Sequence, residues 1–281
     1  MRFSERVENL VHSPIGAAHA LVGLRTNSRA LLDLSQAAPS FPPADAVIER
    51  IAQVAREPDA GRYPPQPGLP ALREAFANDL SRGYEADLSA ESVLITAGCN
   101  QAFCIVASAL ISPGDEALLI APFYFNHDMW LRLEGVNVRH LHPGPDLVPD
   151  PEHAESLLTD KTRLITLVSP GNPTGISIPK EVIHGFADLA RRHNIALIVD
   201  ETYRSFRDEK NEAHELFANA DWTDHVISLH SFSKDFAIRP SHAQGESKAV
   251  RSGLGSEGKL DFLFQFLGNS GAGRADLVAE H

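Results

Sequence analysis

Three apolar runs in the second half of this chain each lead into a polar group able to do chemistry. Lys234 stands in Ser231-Phe232-Ser233-Lys234 after one of them. Asp200 ends the run Ile195-Ala196-Leu197-Ile198-Val199, with Tyr203 three residues on. Asn172 lies in the turn Ser169-Pro170-Gly171-Asn172-Pro173-Thr174-Gly175 that follows the third. A lysine amine can attack a carbonyl carbon and form a Schiff base. A carboxylate closing a buried strand needs a partner, since unpaired buried charge is costly, and a protonated ring nitrogen would satisfy it. Asn172 and Tyr203 could both hydrogen-bond one ring oxygen. Each residue alone has a plainer reading: a surface lysine, a capping aspartate, a half-buried tyrosine. The plain reading of Lys234 weakens because Asn172 and Asp200 precede it by 62 and 34 residues in one ordered series.

Two earlier segments extend the set. Gly98-Cys99-Asn100 lies between a strand signal and a helix signal, where free backbone N–H groups can face an anion and glycine allows close approach. Tyr124, after Pro122-Phe123, could stack on a ring face or simply be core. Ser231 and Ser233 could bind phosphate or cap a helix. Together the side chains fit a pyridoxal-phosphate site with Lys234 as the Schiff-base amine.

The elements that must position these groups alternate. The pattern predicts helices over 44–56, 69–82, 101–111 and 180–193, and strands over 92–96, 117–121, 163–169, 195–200 and 225–229. Leu31-Leu32-Asp33-Leu34 is a short strand candidate. Strands apolar on both faces and separated by helices indicate an α/β fold, a mostly parallel sheet flanked by helices. Such a sheet gathers residues at the carboxyl ends of its strands, where ligands bind. Residues 1–45 read as an N-terminal arm, 46–238 as one large domain and 239–281 as a Gly/Ser-rich tail whose apolar run is Leu260–Leu267.

Composition narrows the class. A net charge of −12 without a basic stretch argues against nucleic acid or an anionic membrane as partner. The two cysteines, Cys99 and Cys104, imply no disulfide framework or zinc site. A charged beginning without an apolar signal core, and no run long enough to span a bilayer, lead to the expectation of a cytoplasmic enzyme.

With these motifs in order, the chain resembles the class I/II pyridoxal-phosphate-dependent aminotransferases of fold type I. Tyr63-Pro64-Pro65-Gln66-Pro67-Gly68-Leu69-Pro70-Ala71-Leu72-Arg73 is similar to that family's Tyr…Gly…Leu-Arg segment, and Thr96-Ala97-Gly98-Cys99-Asn100-Gln101-Ala102 to its phosphate loop. The Asn172 turn, Asp200-Glu201-Thr202-Tyr203 and Ser231–Lys234 follow in family order, over roughly residues 30–238. The resemblance implies that Lys234 is catalytic and carries the cofactor, that Asp200 holds the ring nitrogen, and that Asn172 and Tyr203 bond the ring oxygen. It further implies that Tyr124 stacks, that Gly98, Cys99, Asn100 and Ser231 take the phosphate, and that Tyr63 reaches the phosphate of a second subunit in a homodimer. The implied reaction moves an amino group between an α-amino acid and a 2-oxo acid, with Lys234 as general base and acid. Carbon–sulfur β-elimination, or a remnant binding cofactor weakly, shares the same motifs.

Two departures stand out. Ala37 occupies a place where the family has glycine. After Ile238 the family order stops, so most of the C-terminal small domain, with its substrate-carboxylate arginine, is missing. The strand that the family inserts antiparallel into the sheet after the lysine is expected to be absent too. Arg239-Pro240-Ser241-His242 can be encoded by bases that give Pro-Gly-His-Arg in the next frame, the kind of segment the family supplies here. We read the tail as out-of-frame translation, with a divergent natural C-terminus as the alternative; sequencing the coding DNA at the Ile238 codon decides between them.

Overall fold

Alternate residues of the central strands enter two different cores. Ile165, Leu167, Leu197, Val199 and Val226 pack on one side of the sheet, and Leu164, Ile198, Ile227 and Leu229 on the other. This period of two, apolar on both faces, is what makes the strands read as continuous hydrophobic runs.

The computed structural model describes residues 14–26, 28–32, 34, 36–58, 60, 62–207, 212–219 and 222–238, and the backbone of 263–266. In chain order the elements are α1 (Pro14–Gly23), α2 (Asp45–Val54), α3 (Pro70–Gly83), β1 (Val93–Thr96), α4 (Cys99–Leu110), β2 (Glu116–Ile120), α5 (Phe125–Leu133), β3 (Asn137–Leu141), α6 (Pro151–Ser156), β4 (Thr162–Val168), α7 (Lys180–His193), β5 (Ala196–Asp200), β6 (Val226–Ser231), α8 (Phe232–Asp235) and β7 (Leu263–Phe266). The strands form one sheet in the order β1-β7-β6-β5-β4-β2-β3. Only β7 runs against the rest, antiparallel to both β6 and β1. The other six strands therefore send their carboxyl ends to one edge.

Helices cover both faces. α3 and α7 place Phe76, Leu80, Ile183, Phe186 and Leu189 in the first core, and α4 and α5 place Phe103, Val106 and Leu131 in the second. α7 has the signals expected of it: acidic Glu181 in its first turn, Arg191, Arg192 and His193 in its last, and Asn194 in the left-handed conformation just beyond. On the outer side of β1, Ile95 N–H donates to Pro67 O at 3.0 Å. Gly68, at φ +102°, packs there so closely that a Cβ would sit 2.2 Å from Ile95 Cγ1.

Four expectations need correction. The place for the inserted antiparallel strand is filled: β7 pairs Leu263 with Thr96 of β1, and Gln265 with Leu229 of β6. Two facing strand edges form a ladder template on both sides, and the tail's apolar run supplies the strand. The remainder of the tail and residues 1–13 lie outside the described residues, as does Asp33. Leu31, Leu32 and Leu34 form no strand and are exposed. α4 begins at Cys99, two residues earlier than its apolar pattern suggests, so Cys99 and Asn100 belong to its first turn. Finally, α5, β3 and α6 lie where polar composition hid them; β3 pairs only with β2, and an edge strand can carry Asn137, Arg139 and His140.

Candidate active site

The carboxyl edge of the sheet receives residues from five strands. β5 delivers Asp200, whose 3% exposure makes it one of the most buried charges in the molecule. His127 Nε2, from α5, lies 3.3 Å from Asp200 Oδ2, and Thr202 N–H donates to Oδ1 at 3.0 Å. Cys99 Sγ is 3.8 Å from both carboxylate oxygens and accepts from Thr202 Oγ1 at 3.1 Å. Burial pushes the Asp200 pKa up, but the His127 and Thr202 hydrogen bonds outweigh it and hold the carboxyl below its ordinary value. The carboxylate is therefore ionised in a dry place. His127 is itself pinned, stacked on Phe103 at 3.9 Å between ring centroids and meeting Tyr124 edge-on at 5.1 Å.

Tyr124 follows β2 and precedes α5. Its hydroxyl donates to Asn100 Oδ1 at 3.4 Å and accepts from Asn126 Nδ2 at 2.8 Å. Burial raises the Tyr124 phenol pKa, with Cys99 and Asp200 adding to the effect. Beyond β4, Asn172 Nδ2 donates to Tyr203 Oη at 3.3 Å. Burial, followed by the Asp200 charge, raises Tyr203 to about 12, so its phenol keeps its proton. Lys234 Nζ stands 5.7 Å from the Tyr203 ring centroid, within range of a cation–π contact. The same amine donates to Ala37 O in the arm at 2.9 Å.

Gly98 closes the set on the β1 side. Its φ of 98° and ψ of 156° suit glycine alone, and it caps α4, whose first turn, like that of any helix, has backbone N–H groups without intrahelical acceptors. Ser231 ends β6 and caps α8, its Oγ accepting from Ser233 N–H at 3.2 Å. That bond uses an acceptor lone pair and leaves the hydroxyl proton able to donate.

Of the residues singled out from sequence, Cys99, Asn100, Tyr124 and Asp200 are linked through His127 and Thr202. Asn172, Tyr203 and Lys234 form a second linked group, and Gly98 and Ser231 flank both. Tyr63 joins neither; its side chain is 101% exposed. The residue that sequence reasoning missed is His127. Its signal was the position: a histidine three residues beyond Tyr124, one helical turn into a helix that starts at a strand's carboxyl end. The assembled groups can take a flat ring that carries a cationic N–H toward Asp200, a hydroxyl oxygen toward Asn172 and Tyr203, and an anionic arm toward the start of α4. Among the described residues no group of His, Cys, Asp and Glu could hold a metal ion.

One position beyond Asp200, Glu201 faces the other core. It receives Tyr84 Oη at 2.7 Å, Ser228 Oγ at 2.8 Å, His214 Nε2 at 3.1 Å and Arg207 Nη2 at 3.2 Å. Burial alone would raise its pKa; His214, His230 and Arg207 together hold it far below the ordinary carboxyl value.

The sequence profile of the family "aminotransferase class I and II" matches residues 29–239. A probable aspartate/prephenate aminotransferase of Thermus aquaticus is 29% identical over 262 residues, covering 89% of this chain and 66% of its own. For the aspartate/prephenate aminotransferase of Thermus thermophilus the values are 29% over 255 residues, 89% and 65%. The chain thus spans just under two thirds of these relatives' length. The solved structure of Thermus thermophilus aspartate aminotransferase with maleate superposes with a TM-score of 0.81 at 26% identity, covering 100% of this chain and 68% of that one.

Proposed function

From the chain's membership of the class I and II aminotransferases, we propose that it holds pyridoxal phosphate at the carboxyl edge of its sheet and moves an amino group between an α-amino acid and a 2-oxo acid. The observation that carries this reading is the buried, ionised Asp200 on the same edge as the Tyr203–Asn172 pair and the Lys234 amine. Such a carboxylate suits a protonated pyridine nitrogen, with His127 and Thr202 orienting it. When bound, pyridoxal phosphate supplies an electron sink for the carbon next to the amino nitrogen.

The chain's own residues do the rest. Asp200 keeps the ring nitrogen protonated. Tyr203 and Asn172 would hold the ring oxygen, Tyr124 would lie against the ring, and the start of α4 with Ser231 would hold the phosphate. Lys234 would hold the cofactor through Nζ, and that amine, once free, could move a proton as general base and acid. The relatives described above are aminotransferases, which favours transfer over carbon–sulfur elimination. Their activities make aspartate the first amino donor to assay.

A homodimer fits the surface. α2 buries none of its residues, and its stripe of Ile48, Ile51 and Val54 is exposed together with Leu69 and Tyr63. An exposed apolar stripe of this kind suits an interaction site, and a second copy docked there would be the one to receive Tyr63 at its phosphate. No described helix is long and apolar enough to cross a membrane, and we place the protein in the cytoplasm. The test is amino transfer from aspartate to a 2-oxo acid with added pyridoxal phosphate. The reading requires 2-oxo-acid-dependent product that Lys234→Ala abolishes; release of ammonia and pyruvate from a cysteine conjugate instead would establish elimination.

A further inference from the structure

α8 carries Lys234 and is a single turn. Four residues are far too few to hold helical shape by themselves, because one hydrogen bond does not offset the cost of nucleation. Its internal support is the Phe236 N–H bond to Phe232 O at 2.9 Å and the Ser231 cap. What fixes its place must come from outside: Ser205 hydrogen-bonds Asp235, Lys234 Nζ reaches Ala37 O, and Arg204 alone among these touches both ends of the turn, directly or through Phe76.

Arg204 opens the 3-10 turn that follows Asp200 and Tyr203, and its side chain is 16% exposed. Its Nε pairs with Asp235 Oδ2 at 3.4 Å, on the residue next to Lys234, and its Nη2 bonds Asp79 Oδ2 on α3. Its guanidinium carbon lies 5.4 Å from the Phe76 ring centroid, and Phe76 meets Phe232, the first residue of α8, edge-on at 5.4 Å. One planar cation thus holds the last residue of the lysine turn by charge and its first residue through an aromatic stack. Asp235 is withdrawn from water at 8% side-chain exposure, so its bond to Arg204 is screened far less than a surface bridge; Asp79, at 44%, stands closer to solvent. Arg204 also belongs to the segment that bears Asp200 and Tyr203.

We propose that Arg204 is a positioning residue: it locks the Lys234 turn to the Asp200–Tyr203 segment, so that the lysine amine and the ring-binding groups keep one fixed spacing. The proposal rests on the cofactor reading above. It assigns no contact with cofactor or substrate to Arg204 itself.

The experiment uses the full chain and five variants: Arg204→Met, Arg204→Lys, Asp235→Asn, the double variant Arg204→Met with Asp235→Asn, and Lys234→Ala. The first readout is the lysine-dependent absorbance that appears on titration with pyridoxal phosphate. The second, without cofactor, is amide hydrogen exchange at Phe236, whose N–H reports α8. Arg204→Met and Asp235→Asn are each expected to weaken apparent cofactor affinity by about tenfold and to speed Phe236 exchange by about as much, a factor of ten being ~1.4 kcal/mol. Exchange in β4 and β5 is expected to stay unchanged. The double variant should be no worse than the poorer single one, since both remove the same tie, and Arg204→Lys should recover part of the loss. If Arg204→Met fails to fold, Asp235→Asn, close in shape to the original, carries both readouts. Wild-type affinity and wild-type Phe236 protection in Arg204→Met or Asp235→Asn overturn the proposal while leaving the site reading intact. An unchanged spectrum in Lys234→Ala overturns the site reading instead, and the hydrogen-exchange result still decides whether Arg204 holds the turn.

Discussion

Asp200 and Glu201 are neighbours in sequence, both acidic and both almost fully buried, yet the chain treats them in opposite ways. Glu201 is saturated by its own protein: a phenol, a hydroxyl, an imidazole and a guanidinium converge on it from α3's end, β6 and the segments after β5. Asp200 receives one imidazole and the backbone N–H and hydroxyl of a single residue, Thr202, with a thiol at 3.8 Å. A buried carboxylate that is fully satisfied locks structure in place, whereas one kept ionised with capacity to spare is equipped to meet something that arrives. The strand's alternation puts the first kind under the sheet and the second at its open edge. Burial alone does not tell a functional acid from a structural one; the completeness of its shell does.

Substitutions can break that contrast. The largest expected effect is on chemistry: Asp200→Asn should lower amino transfer by about 10³-fold, the scale of removing a preorganised electrostatic partner, while leaving the thermal midpoint nearly unchanged. Glu201→Gln should do the reverse. It strips the charge that Arg207 and His214 are built around and should cost about 3–5 kcal/mol in denaturant unfolding, with a near-normal cofactor spectrum in the protein that remains folded. If Asp200→Asn unfolds the chain and Glu201→Gln merely lowers turnover, the division of labour is reversed.

The pH dependence of stability sharpens the same point. The Glu201 carboxyl has a folded pKa below its unfolded one, so its contribution is present above the ordinary carboxyl value and lost as pH falls through that value and below. His230 is held neutral, pushed down to about 3 from 6.5, chiefly by burial. Its folded pKa is also the lower one, so the unfolded chain takes a proton that the folded chain refuses, and stability falls as pH drops from 6.5 toward 3. Urea midpoints should therefore decline steadily below pH 6.5, beginning before carboxyls of ordinary pKa titrate. A flat profile down to the carboxyl range would remove His230 from the account. A smaller effect is expected at His127: His127→Phe should lower transfer by about tenfold and move the acid limb of its pH profile upward, because Asp200 loses the bond that lowers its pKa. The smallest change, Ile51→Asp on the exposed face of α2, should leave each site's ligand spectrum alone and convert a sedimenting dimer to monomer.

Much of this was legible in the sequence because it is local. Runs such as Leu197, Ile198 and Val199 announce a strand buried on both faces, and the residues that end such runs are placed by topology at the edge where ligands bind. Asn172, Asp200, Tyr203 and Lys234 could be found this way before any contact was known. The rest depends on partners far along the chain. His127 was hidden because α5 is rich in Asn, His, Asp and Arg and shows little periodicity. β7 was hidden because a strand between β1 and β6 is defined by the gap it fills rather than by its own residues. The same applies to α2, whose apolar stripe reads as core but is exposed on the described surface. Arg204 gave no signal at all, since its partners Asp79 and Asp235 are 125 and 31 residues away.

The central claim concerns one nitrogen atom. Incubation of the full chain with pyridoxal phosphate, borohydride reduction and peptide mapping by mass spectrometry locate the lysine that bonds the cofactor. The account predicts a single labelled peptide carrying the added mass on Lys234, and its loss in Lys234→Ala without transfer of label elsewhere. Label on Lys161, Lys180 or another lysine, or none at all, would contradict it.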